Sequence, residues 1–249
     1  MTLPQSHKPV ENSPEEKKAG EIRRMFDSIA RRYDLLNRLL SAGMDIRWRR
    51  DMVRLLAPRD GERFLDIAIG TGDVALDIFR WNPGKNITVL GVDPSLEMLR
   101  LAAKKIEKSS VPAGSIALAQ GTAEALPFPD ACFDGITVAF GVRNFSSPAK
   151  GLREMFRVLK PGGRAVVLEF SHPRLNPLKW FYQLYFKNVL PLVGGWISGN
   201  PEAYRYLPDS VGAFPVREEF KQLLLQAGFG NIEYRDRTFG IVTLYSAIK

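Results

Sequence analysis

Apolar residues along this chain follow two different rhythms. Short apolar runs at 63–68, 86–92, 115–119, 135–140 and 164–170 read as buried strands. Between them, apolar positions recur every three or four residues: Leu96, Leu99, Ala103 and Ile106 share one helical face behind a start at Ser95. Another helix begins near Asp73, and Ser147-Pro148 opens one that ends before Lys160-Pro161-Gly162-Gly163. Strands separated by helices imply parallel crossover units, hence an α/β doubly wound sheet with helices on both faces. A helix over 216–227, closed by Gly228, precedes two strands at 231–236 and 241–248. Their short connection requires an antiparallel pair, making a seven-stranded, mostly parallel sheet with an antiparallel edge.

Two further regions do not follow this alternation. Ser13-Pro14-Glu15-Glu16 has the form of a capped helix start, and a basic amphipathic helix follows to about Leu40. A second helix runs from Asp45 to Leu56 and is stopped by Pro58 and Gly61. Residues 1–57 therefore read as a tail and helical cap on a domain spanning 58–249. The stretch 171–214 is long, aromatic and rich in Pro and Gly, and reads as an insertion forming a lid.

Composition narrows the chemistry. One cysteine, Cys132, rules out an internal disulfide, and with only His7 and His172 a His/Cys metal site is disfavoured, so no metal is expected. The net charge of +8 points to an acidic partner, either nucleic acid or an anionic membrane surface. Its arginines, however, are spread over helices with acids between them, as in a solvated face. No signal peptide or run of about 18–20 apolar residues appears, so the expectation is a cytoplasmic protein, at most peripheral on the inner face of a membrane. Oligomeric state is open, a homo-oligomer included.

The densest chemistry lies at the end of the first strand, Leu65-Asp66-Ile67-Ala68-Ile69-Gly70-Thr71-Gly72-Asp73. Ligands of open α/β sheets bind at such carboxyl ends. A dinucleotide site wants G-x-G-x-x-G, with pyrophosphate at the helix N-terminus. Here Ala68 takes the first glycine position, no third glycine follows Gly72, and Asp73 puts a negative charge where the pyrophosphate belongs. With Asp66, it forms an acidic rim suited to the sulfonium and ammonium of S-adenosylmethionine. Asp93, ending the second strand, is placed to accept hydrogen bonds from ribose hydroxyls, a geometry that NAD would share. Thr122 and Ala123, after the third strand, can bracket an adenine edge.

Three motifs resemble those of class I methyltransferases: the 65–73 turn, Ala125-Leu126-Pro127-Phe128-Pro129-Asp130, and Arg157-Val158-Leu159-Lys160-Pro161-Gly162-Gly163. Others resemble the ubiquinone/menaquinone biosynthesis C-methyltransferases. They are Phe26 to Asn37, Phe140-Gly141-Val142-Arg143-Asn144, Leu168-Glu169-Phe170-Ser171, Tyr204-Arg205-Tyr206-Leu207-Pro208, and Gly240-Ile241-Val242 with Leu244-Tyr245. The resemblance runs from about Phe26 to the C-terminus. It implies a Rossmann-like fold, S-adenosylmethionine as cofactor, and contacts to it from Thr71, Asp93, Thr122 and Ala123. Thr122 stands where the family usually has Asp or Asn, and Ala139 where some members have Ser.

The resemblance also implies the reaction, methylation of a ring carbon on a reduced, prenylated quinone precursor. That carbon becomes nucleophilic when an adjacent ring hydroxyl ionises, so the protein has to position two reactants and stabilise a phenolate. Arg143 and Asn144 are the first candidates; arginine stays protonated and acts electrostatically, while a plain salt bridge is its alternative. Tyr33, Asp34 and Tyr206 are candidates to close over the substrate, and Glu169 is a weaker one. The aromatic and basic stretch 175–197 suits either an interfacial segment or a lid completing the core. Three rival readings are a nucleic-acid methyltransferase, a silent subunit that keeps the fold, and a dehydrogenase. No RNA-binding module is visible, no nucleic-acid partner is expected, and the glycine pattern disfavours the dehydrogenase.

Overall fold

The computed structural model describes residues 14–174, 184 and 201–249. The N-terminal tail and all but one residue of the aromatic stretch 175–197 thus lie outside the described residues. Helix α1 (Pro14–Leu40) ends where Ala42 and Gly43 turn left-handed, and α2 (Met44–Leu56) follows. Then come β1 (Arg63–Ile67), α3 (Asp73–Arg80), β2 (Thr88–Asp93), α4 (Leu96–Glu107), β3 (Ile116–Gln120) and β4 (Phe133–Ala139). The chain continues through a 3₁₀ turn at Val142–Asn144 into α5 (Pro148–Val158) and β5 (Leu159–Phe170). It ends with α6 (Pro201–Ala213), α7 (Glu218–Gln226), β6 (Gly230–Arg237) and β7 (Val242–Ile248).

The seven strands lie in the order β3-β2-β1-β4-β5-β7-β6. The first five are parallel; β7 runs antiparallel to both β5 and β6, so the reversed strand lies one position inside the rim. Order reverses between β1 and β4, and the ends of these two strands carry the 65–73 turn and the Phe140–Asn144 segment. The fold places the site there because a crevice opens where crossovers leave in opposite directions. Strand β5 is longer than the 164–170 run expected. Leu159 already pairs with Phe133 before the Lys160–Gly163 turn shifts the register, which a pattern of apolar residues does not reveal.

Local signals explain the helix starts. Ser95 caps α4 by accepting a hydrogen bond from Met98 N at 3.1 Å. Pro148 sits in the first turn of α5, where its missing N–H costs nothing.

The sheet is covered on both faces. One core joins Leu65, Ile136, Leu152, Met155 and Val167 to Phe220 and Tyr245; the other joins Ile78, Val89, Val166 and Leu168 to Trp48, Met52, Val53 and Leu56 of α2. Helix α2 is therefore part of the sheet's covering layer, whereas the sequence grouped it with a separate cap. Helix α1 is the true cap: Ile29 and Leu36 pack on Val211 and Leu207 of α6, closing a third, smaller cluster over the strand ends.

Candidate active site

The turn after β1 is shaped by three left-handed residues, Ala68 (φ 54°), Gly70 (φ 56°) and Gly72 (φ 87°). A non-glycine residue in that region is costly and marks a place the surrounding structure enforces. Ile69 folds down onto β2: its N–H donates to Val92 O at 3.1 Å, and a Cβ on Gly91 would come within 2.1 Å of Ile69 Cδ1. Only glycine lets the loop lie this close to the sheet.

The carboxylates expected here divide into two kinds. Asp66 is 1% exposed; its Oδ1 accepts from Thr137 Oγ1 at 2.8 Å, while Oδ2 is buried without a hydrogen-bond partner. Burial pushes its pKa up to about 7, only partly offset by the Thr137 hydrogen bond. Asp93 accepts from Gly70 N and Ser95 N, both at 2.9 Å, and burial again lifts it, to about 6. Two buried acids short of positive charge are the complement of a cationic ligand.

Asp73 is different, and corrects the expectation of a free acidic rim. Lys105 Nζ lies 2.6 Å from Asp73 Oδ1 and Arg49 Nη2 lies 3.3 Å from Oδ2. Burial raises this carboxyl, but the two cations together outweigh it and hold it below its ordinary value. Its charge is already spent within the protein. Thr71 is likewise engaged, donating to Asp34 Oδ1 at 2.6 Å and accepting from Lys105 Nζ at 3.0 Å.

Two adjoining chambers open above the strand ends. The smaller, about 90 Å³, is lined by Met98 and, at the ends of β2 and β3, by Asp93, Gly121, Thr122 and Ala123. The larger, about 210 Å³, is walled by Met25, Ile29, Trp48, Phe170, Leu207 and Ile241, with Asp66, Thr71 and Asp73 along the base. Tyr33, Ala68, Gly70 and Phe140 border both.

The polar group of the larger chamber is built on Arg143 and Glu169, whose side chains are 6% and 1% exposed. Arg143 Nη1 donates to Glu169 Oε1 and to Phe140 O, each at 2.6 Å, and the guanidinium lies 5.4 Å from the Phe170 ring centre. Its Nε is buried and has no hydrogen-bond partner among the described residues. The salt bridge weighed as the alternative role of Arg143 thus exists, and it leaves a donor over. Tyr206 OH donates to Asn144 Oδ1 at 3.1 Å, and Asn144 Nδ2 donates to Phe140 O at 3.3 Å. Burial raises the pKa of both Tyr33 and Tyr206, so each stays a neutral phenol.

Four of the five predicted catalytic residues, Arg143, Asn144, Tyr33 and Tyr206, therefore meet at these chambers. Asp34 does not. It lines neither chamber and instead pins α1 to the cofactor loop, through Thr71 and a 2.7 Å ion pair with Lys105. Lys105 and Arg49 escaped the sequence reading because a lysine or arginine in an amphipathic helix looks solvated until its partners arrive from other helices.

A sheet of this order, reversed at β7, with a glycine turn and two buried acids at its switch point, defines a class I S-adenosylmethionine-dependent methyltransferase. Solved structures agree on the fold. A possible histamine N-methyltransferase from Thermotoga maritima matches with a TM-score of 0.65 at 20% identity, over 92% of this chain and 99% of that one. A phosphoethanolamine N-methyltransferase from Haemonchus contortus, in complex with S-adenosyl-L-methionine, matches at 0.64 and 16% identity, over 92% of this chain and 60% of that one. Residues 12–249 match the model of the ubiE/COQ5 methyltransferase family, and the chain belongs to that family. The ubiquinone/menaquinone biosynthesis C-methyltransferase of Geobacter sulfurreducens is 51% identical over 93% of this chain and 90% of its own length. The demethylmenaquinone methyltransferase of Thermus thermophilus is 48% identical over 89% and 98%. The chain is an S-adenosylmethionine-dependent C-methyltransferase.

Proposed function

We propose that the acceptor is the ring of a reduced, prenylated quinone precursor, demethylmenaquinol or the corresponding benzoquinol of ubiquinone synthesis, and that it is methylated on carbon in the larger chamber. The observation that carries this reading is the chamber itself: an aromatic and aliphatic wall, an acidic base of Asp66 and Asp73, and a separate polar pair, Arg143 (backed by Glu169) and Tyr206, on its lining. A flat, greasy substrate with a hydroxyl at one end matches that distribution.

When bound, S-adenosylmethionine supplies an electrophilic methyl group. The chain's own residues do the rest. Asp66 and Asp93 hold the cationic, ribose-bearing cofactor, and the 68–72 backbone sets its depth. Arg143, permanently charged, stabilises a ring phenolate through the donor its salt bridge leaves over, raising electron density at the adjacent carbon. Glu169 fixes the plane of the guanidinium. Asn144 and Tyr206 orient the acceptor, Tyr33 closes the space between the chambers, and α1 excludes water. The hydroxyl proton is released to solvent as the phenolate forms, and the proton displaced from the methylated carbon restores the hydroxyl on the ring oxygen, so one proton is released per methyl transferred.

A prenylated acceptor resides in a bilayer, so the working site is a membrane surface. Support comes from α1, where Leu35 and Leu39 are exposed beside Arg31 and the total charge is +8. Among the described residues no helix is long and apolar enough to cross a membrane. Purified protein given labelled S-adenosylmethionine and each reduced precursor should label one of them. Transfer to neither overturns this assignment of the acceptor.

A further inference from the structure

Among the described residues lining the chambers, Phe140 is the one aromatic held in a conformation that favours glycine: φ is +56° at the end of β4. The backbone there is clamped from both sides. Its N–H donates to Leu168 O at 2.7 Å, and its carbonyl accepts from Arg143 Nη1 and Asn144 Nδ2. The left-handed turn thus presents the carbonyl to one polar residue of each chamber, Arg143 of the larger and Asn144 of the smaller. It also swings the ring into the border between the two chambers, where only partial burial is reached. There the ring lies 4.5 Å from that of Phe170, tilted by 34°, and 6.2 Å edge-on from Trp48. The next residue leaves no freedom to move it, since a Cβ on Gly141 would come within 2.7 Å of Ala68 Cβ.

A left-handed turn alone would be served best by glycine. The ring is what a glycine would not provide, and bulky residues in this region cluster where strain is tied to function. We infer that the Phe140 ring, backed by Phe170, is the platform on which the acceptor ring stacks, and that it fixes the distance between acceptor carbon and methyl donor. Phe140 is thereby a positioning residue for ring-carbon methylation, while Arg143 supplies the charge. The inference rests on the proposed acceptor and would extend to any planar aromatic one. Offset stacking on a fixed ring aligns the face of the acceptor, a geometry that methyl transfer demands.

The test uses the full chain with Phe140→Leu, which keeps apolar bulk, and Phe140→Gly, which removes ring and strain together. Three quantities are read: binding of S-adenosylhomocysteine by calorimetry, binding of a short-chain demethylmenaquinol analogue, and single-turnover methylation of that analogue. Expected are cofactor affinities within about threefold of the unaltered protein and turnover at saturating acceptor lowered at least tenfold in both variants. The melting temperature should fall in Phe140→Gly, because the packing of the ring on Phe170 and Trp48 outweighs the backbone relief, so turnover is read on the folded fraction counted by cofactor binding. Turnover within twofold in variants that still bind the cofactor overturns the platform, leaving the ring as wall. A cofactor affinity that falls as far as turnover also overturns it, placing Phe140 in the cofactor site alone. Should the unaltered protein bind the analogue without methylating it, the proposed acceptor fails; tenfold weaker analogue binding in the variants would then still uphold the platform.

Discussion

Two buried arginines stand on opposite sides of the same site and do different things. Arg49, on α2 beneath the cofactor loop, has a carboxylate for each nitrogen: Nε to Asp77 at 2.8 Å, Nη1 to Asp45 at 2.8 Å, and Nη2 to Asp73 at 3.3 Å. Arg143, in the larger chamber, has one carboxylate and one carbonyl, and among the described residues its Nε has no partner. Saturated, the first arginine is scaffold, tying α2 to α3 so that the glycine turn has a fixed base. The second keeps interaction capacity in reserve, and a buried donor left unpaired is costly unless a ligand uses it.

Removing each arginine should therefore fail in a different way. Arg49→Met leaves Asp77 and Asp45 only the more exposed guanidiniums of Arg80 and Arg38, and should cost about 3 kcal/mol of stability in denaturant melts. Turnover of the fraction that remains folded should be nearly unchanged. A stable but inactive Arg49→Met would break the distinction.

Arg143→Ala by itself strands the Glu169 charge, so the informative form is Arg143→Ala with Glu169→Gln. Turnover should fall about 10²–10³-fold, the usual effect of losing one donor to a developing oxyanion, with S-adenosylhomocysteine affinity nearly intact. Turnover within a few-fold of the parent would make Arg143 scaffold too.

Asp66→Asn probes the cofactor side. A carboxyl raised from 3.8 to about 7 favours the fold while protonated, below about pH 4, and loses that contribution as pH rises through about 7. Asparagine escapes the loss, worth on the order of 4 kcal/mol, but buries an amide N–H₂ at a cost of about 2. The variant should thus be about 2 kcal/mol more stable than the parent in urea at pH 8 and about 2 kcal/mol less stable at pH 4, where the parent carboxyl is protonated and only the amide cost remains, while binding cofactor roughly tenfold more weakly. Parent cofactor affinity should likewise decline below pH 7. A variant less stable at pH 8 would show that the Asp66 charge is already compensated.

The smallest effect is expected for Asp34→Asn. Asparagine can still accept from Thr71, and the lost ion pair with Lys105 is half-exposed, so stability should change by no more than about 1 kcal/mol. Amide exchange in α1 should nonetheless quicken. Unchanged exchange would remove Asp34 as the pin of the cap.

The strands, their alternation with helices and the cofactor turn were legible because each is a local pattern: apolar runs set by burial, glycines set by a tight turn. Asp93, Thr122, Ala123, Arg143 and Asn144 were legible for a related reason, since strand ends in such a sheet converge on one crevice. The ion pairs of Asp34 and Asp73 were not legible, because a carboxylate's surroundings depend on which cations reach it. Lys105 is over thirty residues from Asp73 and over seventy from Asp34 in the chain. The same holds for α2, whose amphipathic pattern shows that it covers something but not what.

The sequence by itself determined the class of sheet, the position of the nucleotide turn and the residues available for chemistry, because backbone geometry and hydrophobic period act over a few residues. Only the tertiary structure decided which charges are already spent, that Arg143 retains a free donor, and that Phe140 stands between two chambers. Those are properties of distance and burial between elements far apart in the chain, and they come into being only when the cap, the sheet and α6 close on one another.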